Sequence, residues 1–410
     1  MNFVDFLFFF YTFVGLYMLI LMIIVYLPHR KEMFNYPKGK PEPVSIVIPC
    51  YNEAKSIGKA IENLLNLNYP KQMIEIIVVD DKSTDNSVEI IKQYTKKYSN
   101  VKLIVNKKNS GGAAEPTNLG IKAAKYNYIA VADADSYPEK DALLKMIGFL
   151  QKDPRIGGVT GAVLVKDAQT FIQKLQYIEY VVISFARKLL DFVDAVYVTP
   201  GPFALYRKEI LFKIGLFDIK NLTQDIEIVW RMMSYGYRAR MSLDTKIYTI
   251  APRSFKKWWR QRVRWNIGGT QTLYKYRKWF PSKNMLGMFI IPFFSASLFI
   301  GVVGIILFAY LAIRRALVLF LSTKYSFIAN ETVTRLVDLS FNPSILNFFG
   351  ISLFLLGCFY SLFALMTMKE LHFKNINIFN LLFFLTLYLM IYPLIMIASM
   401  YKLAVGKYSW

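Results

Sequence analysis

The sequence predicts an α/β domain with a mostly parallel sheet, combined with an α-helical transmembrane region. Three observations carry that prediction. Val- and Ile-rich runs alternate with helical patterns between residues 41 and 253. Four long stretches outside that segment carry no charge. Acidic residues collect where the apolar runs of the central segment end.

The uncharged stretches are residues 6–27, 286–313, 345–368 and 376–401. Each is at least as long as the ~20 apolar residues that cross a bilayer, so each reads as a transmembrane helix. The first has no basic lead and no small-residue cleavage site, so it is expected to be a retained anchor, not a signal peptide. His29, Arg30, Lys31, Lys38 and Lys40 follow it, and more basic residues lie in 256–283. Positive charge marks the cytoplasmic side, which makes the chain a multi-pass protein of the cell membrane with a cytoplasmic central domain. Arg314, Arg315, Lys324 and Arg335 would then lie outside, against that rule. Residues 316–327 are therefore also readable as an interfacial or re-entrant piece. Four segments follow: 1–40, a transmembrane helix and basic linker; 41–253, the α/β domain; 254–284, amphipathic and interfacial; and 285–410, with about three transmembrane helices.

The formal net charge is +22. Beside membrane spans such a balance points to anionic lipid as the partner and not to nucleic acid. One of the two cysteines, Cys50, lies in the central domain and the other, Cys358, in an apolar stretch. That separation excludes a disulfide framework. The two histidines, His29 and His372, sit beside apolar stretches, so a general base in the central domain is expected to be a carboxylate.

Within the central domain, VSIVIP (44–49), EIIVVD (75–80), VKLIVN (101–106) and YIAVAD (128–133) read as strands. SIGKAIENLL and STDNSVEIIKQY between them have helical spacing, the second opening with cap residues. Strand and helix in alternation imply a parallel sheet covered by helices, whose ligands bind beyond the carboxyl ends of the strands. Three of those ends carry acids: CYNE (50–53), DDKSTD (80–85) and DADS (133–136). No GxGxxG follows the first strand and no GxxxxGK[ST] occurs, so a dinucleotide fold and a P-loop are unsupported. Acids alone repel phosphate. The spaced pair Asp133 and Asp135 suits a divalent cation that neutralises a diphosphate.

In this order, CYNE, VVDDKSTD, DADS, NLTQDIEIVWRM (221–232) and RQRVRW (260–265) resemble the motifs of membrane-embedded family 2 glycosyltransferases with a GT-A fold. Synthases of cellulose, hyaluronan and poly-N-acetylglucosamine share that layout. The resemblance implies that Tyr51, Glu53, Asp80 and Asp81 contact the nucleotide. It gives Asp133 and Asp135 to the diphosphate and to Mg²⁺ or Mn²⁺, and makes Asp225 the catalytic base. Gln261, Arg264 and Trp265 match QxxRW, the first two at the donor and the tryptophan at the acceptor. TPGPFALYR (199–207) is similar to the acceptor-side segment, which brings in Gly201 and Pro202. Two departures stand out. Gln224 takes the place of the usual Glu beside Asp225, and NSGGAAEPTNLG (109–120) lacks a lysine common in polymer-making relatives. Gly111 and Gly112 there are readable as a plain turn.

The resemblance implies an inverting transfer from a UDP-sugar, UDP-N-acetylglucosamine among the candidates, to a growing polysaccharide. Transfer of one sugar to a polyprenyl-phosphate or other lipid-linked acceptor is the alternative. A membrane-bound nucleotide-sugar sensor is the alternative from another class. Other acids have plainer expectations: Asp85 as a helix cap, Asp153, Asp167 and Asp218 as solvated, and Glu227 as a flank of the site. Trp230 is expected in the core. Arg260 and Arg262 are expected to face lipid, in an aromatic and basic belt over residues 254–280.

Overall fold

The computed structural model describes residues 3–329, 345–368 and 377–406, so Arg335 and His372 lie outside it. One sheet holds β1 (Val44–Cys50), β2 (Ile74–Asp80), β3 (Val101–Val105), β4 (Tyr128–Val131), β5 (Ser136–Pro138), β6 (Ile156–Val165), β7 (Ala204–Arg207) and β8 (Arg238–Thr249). Its order is β3-β2-β1-β4-β7-β6-β8-β5. The β3-β2-β1-β4 side is parallel throughout, and β6 runs parallel to β8. Strand β7 is antiparallel to β4 and β6, and β5 to β8. The four runs expected from sequence are β1 to β4.

The described helices of the central domain are α2 (Ile57–Leu65), α3 (Ser87–Lys97), α4 (Ala114–Ala123), α5 (Ala142–Lys152), α6 (Phe171–Phe192), α7 (Lys208–Lys213) and α8 (Gln224–Ser234), after α1 (Phe3–His29). Then come α9 (Phe255–Tyr276), α10 (Ile291–Ala329), α11 (Ile345–Thr367), α12 (Ile378–Phe383) and α13 (Tyr392–Val405). Alternation along the strands feeds two cores. Val44, Ile46 and Ile48 pack with Ile57, Ile61 and Met146 on one face. Val47 and Val79 pack with Ile121, Phe185 and Ile228 on the other. Burial on both faces explains the nearly unbroken apolar strands. The second core continues into Val25 of α1, Trp258 of α9, Ala364 of α11 and Ile395 of α13. The apolar terminal helices and the central domain therefore share one apolar interior.

Two helical segments are long and apolar enough to cross a membrane, Asp5–His29 and Leu286–Tyr325. A third is added if the bent pair Ile378–Tyr388 and Tyr392–Val405 forms one span. Residues 316–327 continue α10 without a break. The stretch expected as one last span is bent by 49°. A π-turn (Phe384–Tyr388) and a 3₁₀ turn (Leu389–Ile391) separate its halves, and Pro393 lies in the first turn of α13. Proline lacks the amide that would continue the earlier helix, so the break falls there.

Glu75 ties the parallel half together. Its carboxylate accepts from Ser45 Oγ of β1 (2.6 Å), Lys102 Nζ of β3 (2.7 Å) and the Lys125 amide ahead of β4 (2.9 Å). Burial pushes its pKa up, but the bonds from Lys102, Ser45 and Lys125 outweigh this and hold it below the usual range. A depressed carboxylate pKa contributes stability at neutral pH that is lost as pH falls through the folded value. Glu75→Gln is expected to cost about 2 kcal/mol at pH 7. The difference from wild type in urea or thermal unfolding should shrink as the pH is lowered past about 4.

Candidate active site

Strands β2, β1 and β4 are parallel neighbours, so their carboxyl ends lie side by side. That adjacency gathers the loops 50–53, 80–85 and 132–136 at one end of the sheet. The return strand β7 starts at the same end, with Ala204 opposite Val131. The segment before it therefore passes Asp133. A Cβ on Gly201 would stand 2.8 Å from Asp133 Oδ2, so only glycine fits this approach. The Thr199 amide donates to Asp225 O (3.3 Å), which draws the first turn of α8 to the same place. Helix α9 closes against that turn. A Cβ on Gly268 would be 2.3 Å from Thr223 Oγ1. One turn earlier on α9, Arg264 donates from Nη1 to Leu222 O (3.2 Å) and its charge acts on both Asp225 and Asp133.

The carboxylates repel one another in a poorly solvated space. Burial pushes Asp133 up to about 8, with Asp135 and Asp225 adding to the rise and Arg264 opposing it. Burial likewise pushes Asp135 up to about 6, with Glu53 adding. Asp225 is raised by burial, against Arg264 and Arg187. A divalent cation is the group that relieves this crowding, and the donor set fits one. Among the described residues no three His, Cys, Asp or Glu side chains are gathered to hold a metal ion by themselves. Mg²⁺-type sites that serve nucleotides take one or two carboxylates and fill the rest with water and phosphate oxygens. Asp133 and Asp135 supply the two.

The loops after β1 and β2 are laced mostly to each other and to themselves. Tyr51 is half exposed beyond β1. Glu53 accepts from Ser56 Oγ. Asp80 Oδ2 accepts from the Ser83 amide (3.1 Å), while its buried Oδ1 has no protein partner. Both oxygens of Asp81 are engaged, with Asn106 Nδ2 (2.8 Å) on one and the Ser110 amide and hydroxyl (2.8 and 2.7 Å) on the other. Asp81 thus holds the 106–110 loop in place. Asp85 accepts from the Ser87 and Ala54 amides (both 3.0 Å); it stands one residue before the N-cap of α3, Asn86, and ties the start of that helix to the loop after β1. Gly111 turns with φ +75°, as a plain turn needs.

Trp265 stacks on Tyr180, ring centroids 6.5 Å apart. Gln261 Oε1 accepts from Arg262 Nη1 (2.8 Å). Pro202 follows Gly201 in the segment beside Asp133. Arg260 is exposed, as expected of a lipid-facing cation. Arg262 is not lipid-facing. It is 2% exposed and paired with Glu179, because α9 turns this position toward α6 and the bent C-terminal pair. Glu227 does not flank the site either. It is wholly buried and engages Arg231, Lys275 Nζ (2.6 Å) and Tyr276 OH (2.8 Å). Asp218, expected in solvent, pairs with the same Lys275 at 2.6 Å. Trp230 lies in the core. Sequence reasoning missed Arg187 and Glu179 of α6. Charged residues on an amphipathic helix read as its wet face; here α9 and α13 close over Glu179, and Arg187 is buried near Asp225.

A spaced acid pair, a carboxylate at a helix start and an arginine are gathered at the carboxyl end of the parallel strands of an α/β domain. Residues 45–215 match the model of glycosyl transferase family 2. Over 281 residues, 67% of each chain, the protein is 32% identical to poly-beta-1,6-N-acetyl-D-glucosamine synthase of Staphylococcus aureus. It is 30% identical over the same share to the enzyme of that name from Staphylococcus epidermidis. Its fold is similar to that of mannosyltransferase PcManGT from Pyrobaculum calidifontis, solved with GDP-Man and Mn²⁺. That likeness has a TM-score of 0.54 at 17% identity and covers 95% of this chain and 100% of the other. The chain belongs to glycosyl transferase family 2 and has the GT-A fold. It is a glycosyltransferase.

Gly201→Ala is expected to push Asp133 aside and lower transfer about 100-fold, the cost of an ~1 Å misplacement. Its unfolding curve should stay close to wild type. Unchanged transfer would show that the close approach to Asp133 has no bearing on the reaction.

Proposed function

We propose that the protein is an inverting glycosyltransferase of the membrane that extends a polysaccharide from a UDP-sugar, UDP-N-acetylglucosamine first among candidates. The observation that carries this reading is that Asp225, Asp133 and Arg264 lie close enough for their charges to act on one another, with Asp135 acting on Asp133 as well. The synthase relatives support the sugar and the polymer by their names. The basic flanks of α1 and α9 support a cytoplasmic site.

In this reading Glu53, Asp80 and Tyr51 border the nucleotide, and Asp81 shapes its loop. Asp133 and Asp135 hold Mg²⁺ or Mn²⁺, which would neutralise the leaving diphosphate. Asp225 takes the proton of the acceptor hydroxyl as that oxygen bonds to the anomeric carbon. The bond from that carbon to the diphosphate breaks in the same step, so configuration inverts and no covalent enzyme intermediate forms. Arg264 opposes the rise that burial imposes on Asp225 and steadies negative charge on the donor side. Gln261 sits with it at the donor. Trp265, on Tyr180, offers a flat face to an acceptor sugar, with Gly201 and Pro202 walling the opening.

Asp225→Asn should lower transfer by about 10³-fold or more while UDP binding changes less than about twofold. Burial raises the carboxyl of Asp225, so protonation disables it at a higher pH than an ordinary aspartate of about 3.9. The acid limb of the wild-type rate should lie above that value. Full activity in the asparagine variant removes Asp225 as base.

A second reading has its own support. Two or three candidate spans among the described residues leave little room for a polymer channel, which favours single transfer to a lipid-linked acceptor. A screen of UDP-sugars with the purified protein in lipid, with Mn²⁺, Mg²⁺ or chelator, separates the readings. Polymer synthesis requires cation-dependent UDP release and a ladder of products. One discrete lipid product marks single transfer, and absence of UDP release from every donor marks a sensor.

A further inference from the structure

Arg262 stands in the middle of RQRVRW, yet its side chain turns away from both lipid and the carboxylates. Successive residues on a helix are ~100° apart, so Arg262 and Arg264 point about 200° from each other. Arg264 faces Asp225 and Asp133, whereas Arg262 enters a closed polar cluster. Its Nη2 donates to Glu179 Oε2, its Nε to Tyr392 OH (3.2 Å) and its Nη1 to Gln261 Oε1 (2.8 Å). The guanidinium plane also lies over the Trp265 ring, 4.1 Å from its centroid. One cation therefore grips both ends of the Gln261-to-Trp265 segment, by an edge at the glutamine and by a face at the tryptophan.

Glu179 is the other half of the grip. Besides Arg262 it accepts from Tyr388 OH (2.8 Å) and Tyr392 OH. Trp258 Nε1 donates to Tyr388 OH (2.9 Å). These tyrosines come from the two sides of the break in the C-terminal apolar segment: Tyr388 closes the π-turn and Tyr392 opens α13. Two hydroxyls from one apolar segment thus reach one carboxylate. Ser399 Oγ of α13 adds a bond to Val263 O (3.4 Å). A buried ion pair is a poor source of stability, since well-packed apolar side chains would serve as well. What a guanidinium adds is a rigid planar fork with fixed directions.

We propose that Arg262 and Glu179 are positioning residues for the acceptor end of the site. They fix Trp265 through a latch whose other members, Tyr388 and Tyr392, belong to the C-terminal apolar segment. The proposal rests on the reading above that Trp265 meets the acceptor. In this arrangement the seating of the C-terminal segment sets the angle of Trp265, so membrane insertion and acceptor binding are linked.

The test uses the full chain in lipid nanodiscs. Glu179→Gln keeps the size of the side chain and removes its charge, and Arg262→Lys keeps charge and removes the fork. Hydroxyl-radical footprinting reads the exposure of Trp265 without need of any substrate. Both variants should raise Trp265 labelling at least threefold, with labelling of α2, α3 and α5 unchanged. Tyr392→Phe should give a smaller rise, and none beyond that of Glu179→Gln when the two are combined, because the groups act as one unit. In transfer to a β-linked N-acetylglucosamine oligomer, the acceptor KM should rise about tenfold while UDP affinity stays within twofold. Unchanged Trp265 labelling in both variants overturns the latch, as does labelling that rises equally across the central domain. Trp265→Ala separates the two levels of the argument. If labelling responds to the latch but Trp265→Ala leaves transfer to the oligomer unaffected, the acceptor reading fails and the positioning of Trp265 stands.

Discussion

Carboxylates crowd one end of the sheet, and the surrounding architecture is arranged around their repulsion. Parallel neighbours β2, β1 and β4 must end together, and each end carries acids. The antiparallel strand β7 adds a glycine approach to Asp133, and α8 adds Asp225. Burial and mutual repulsion raise Asp133 and Asp135 well above ordinary aspartates. Such a cluster sits at high energy unless cations are brought to it, and the fold brings them from two directions.

Helix α9 delivers Arg264 from one side and α6 places Arg187 near Asp225 from another. Arg187 has a buried Nε without a hydrogen-bond partner, so its charge is offset by proximity to Asp225 and not by a fork on a carboxylate. The same two helices also pair ions with each other, Glu179 with Arg262, at a point facing away from the acids. Alternate faces of α9 thus divide the work: one balances the charge of the site, and the other fastens the helix to the membrane part.

That fastening explains why the core does not stop at the domain edge. Trp258, Val263 and Ile267 of α9 belong to the same buried cluster as Ala364, Tyr388 and Ile395. The bent segment near Pro393 takes part in this role, since the hydroxyls of Tyr388 and Tyr392, on the two sides of the bend, both donate to Glu179.

Much of this was legible in the residue order. Alternation of Val- and Ile-rich runs with helical spacing marked β1 to β4, and the uncharged stretches marked the apolar helices, because both signals are local. The acids could be placed at the site because parallel strands bring their ends together whatever the details of packing. Strands β5 and β7 gave weaker signals because they are short, β6 is mixed with glycine, and β8 mixes charged residues among its apolar ones. Helical periodicity shows that Arg262 and Arg264 lie on different faces, but not what each face meets. Arg262 looked like a lipid contact and Glu227 like a flank of the site, since a charge next to a belt or a motif is normally wet. Only tertiary closure decided otherwise, α6 and the bent C-terminal pair around Arg262 and α9 against α8 around Glu227, by removing water from those charges and leaving each to find its partner.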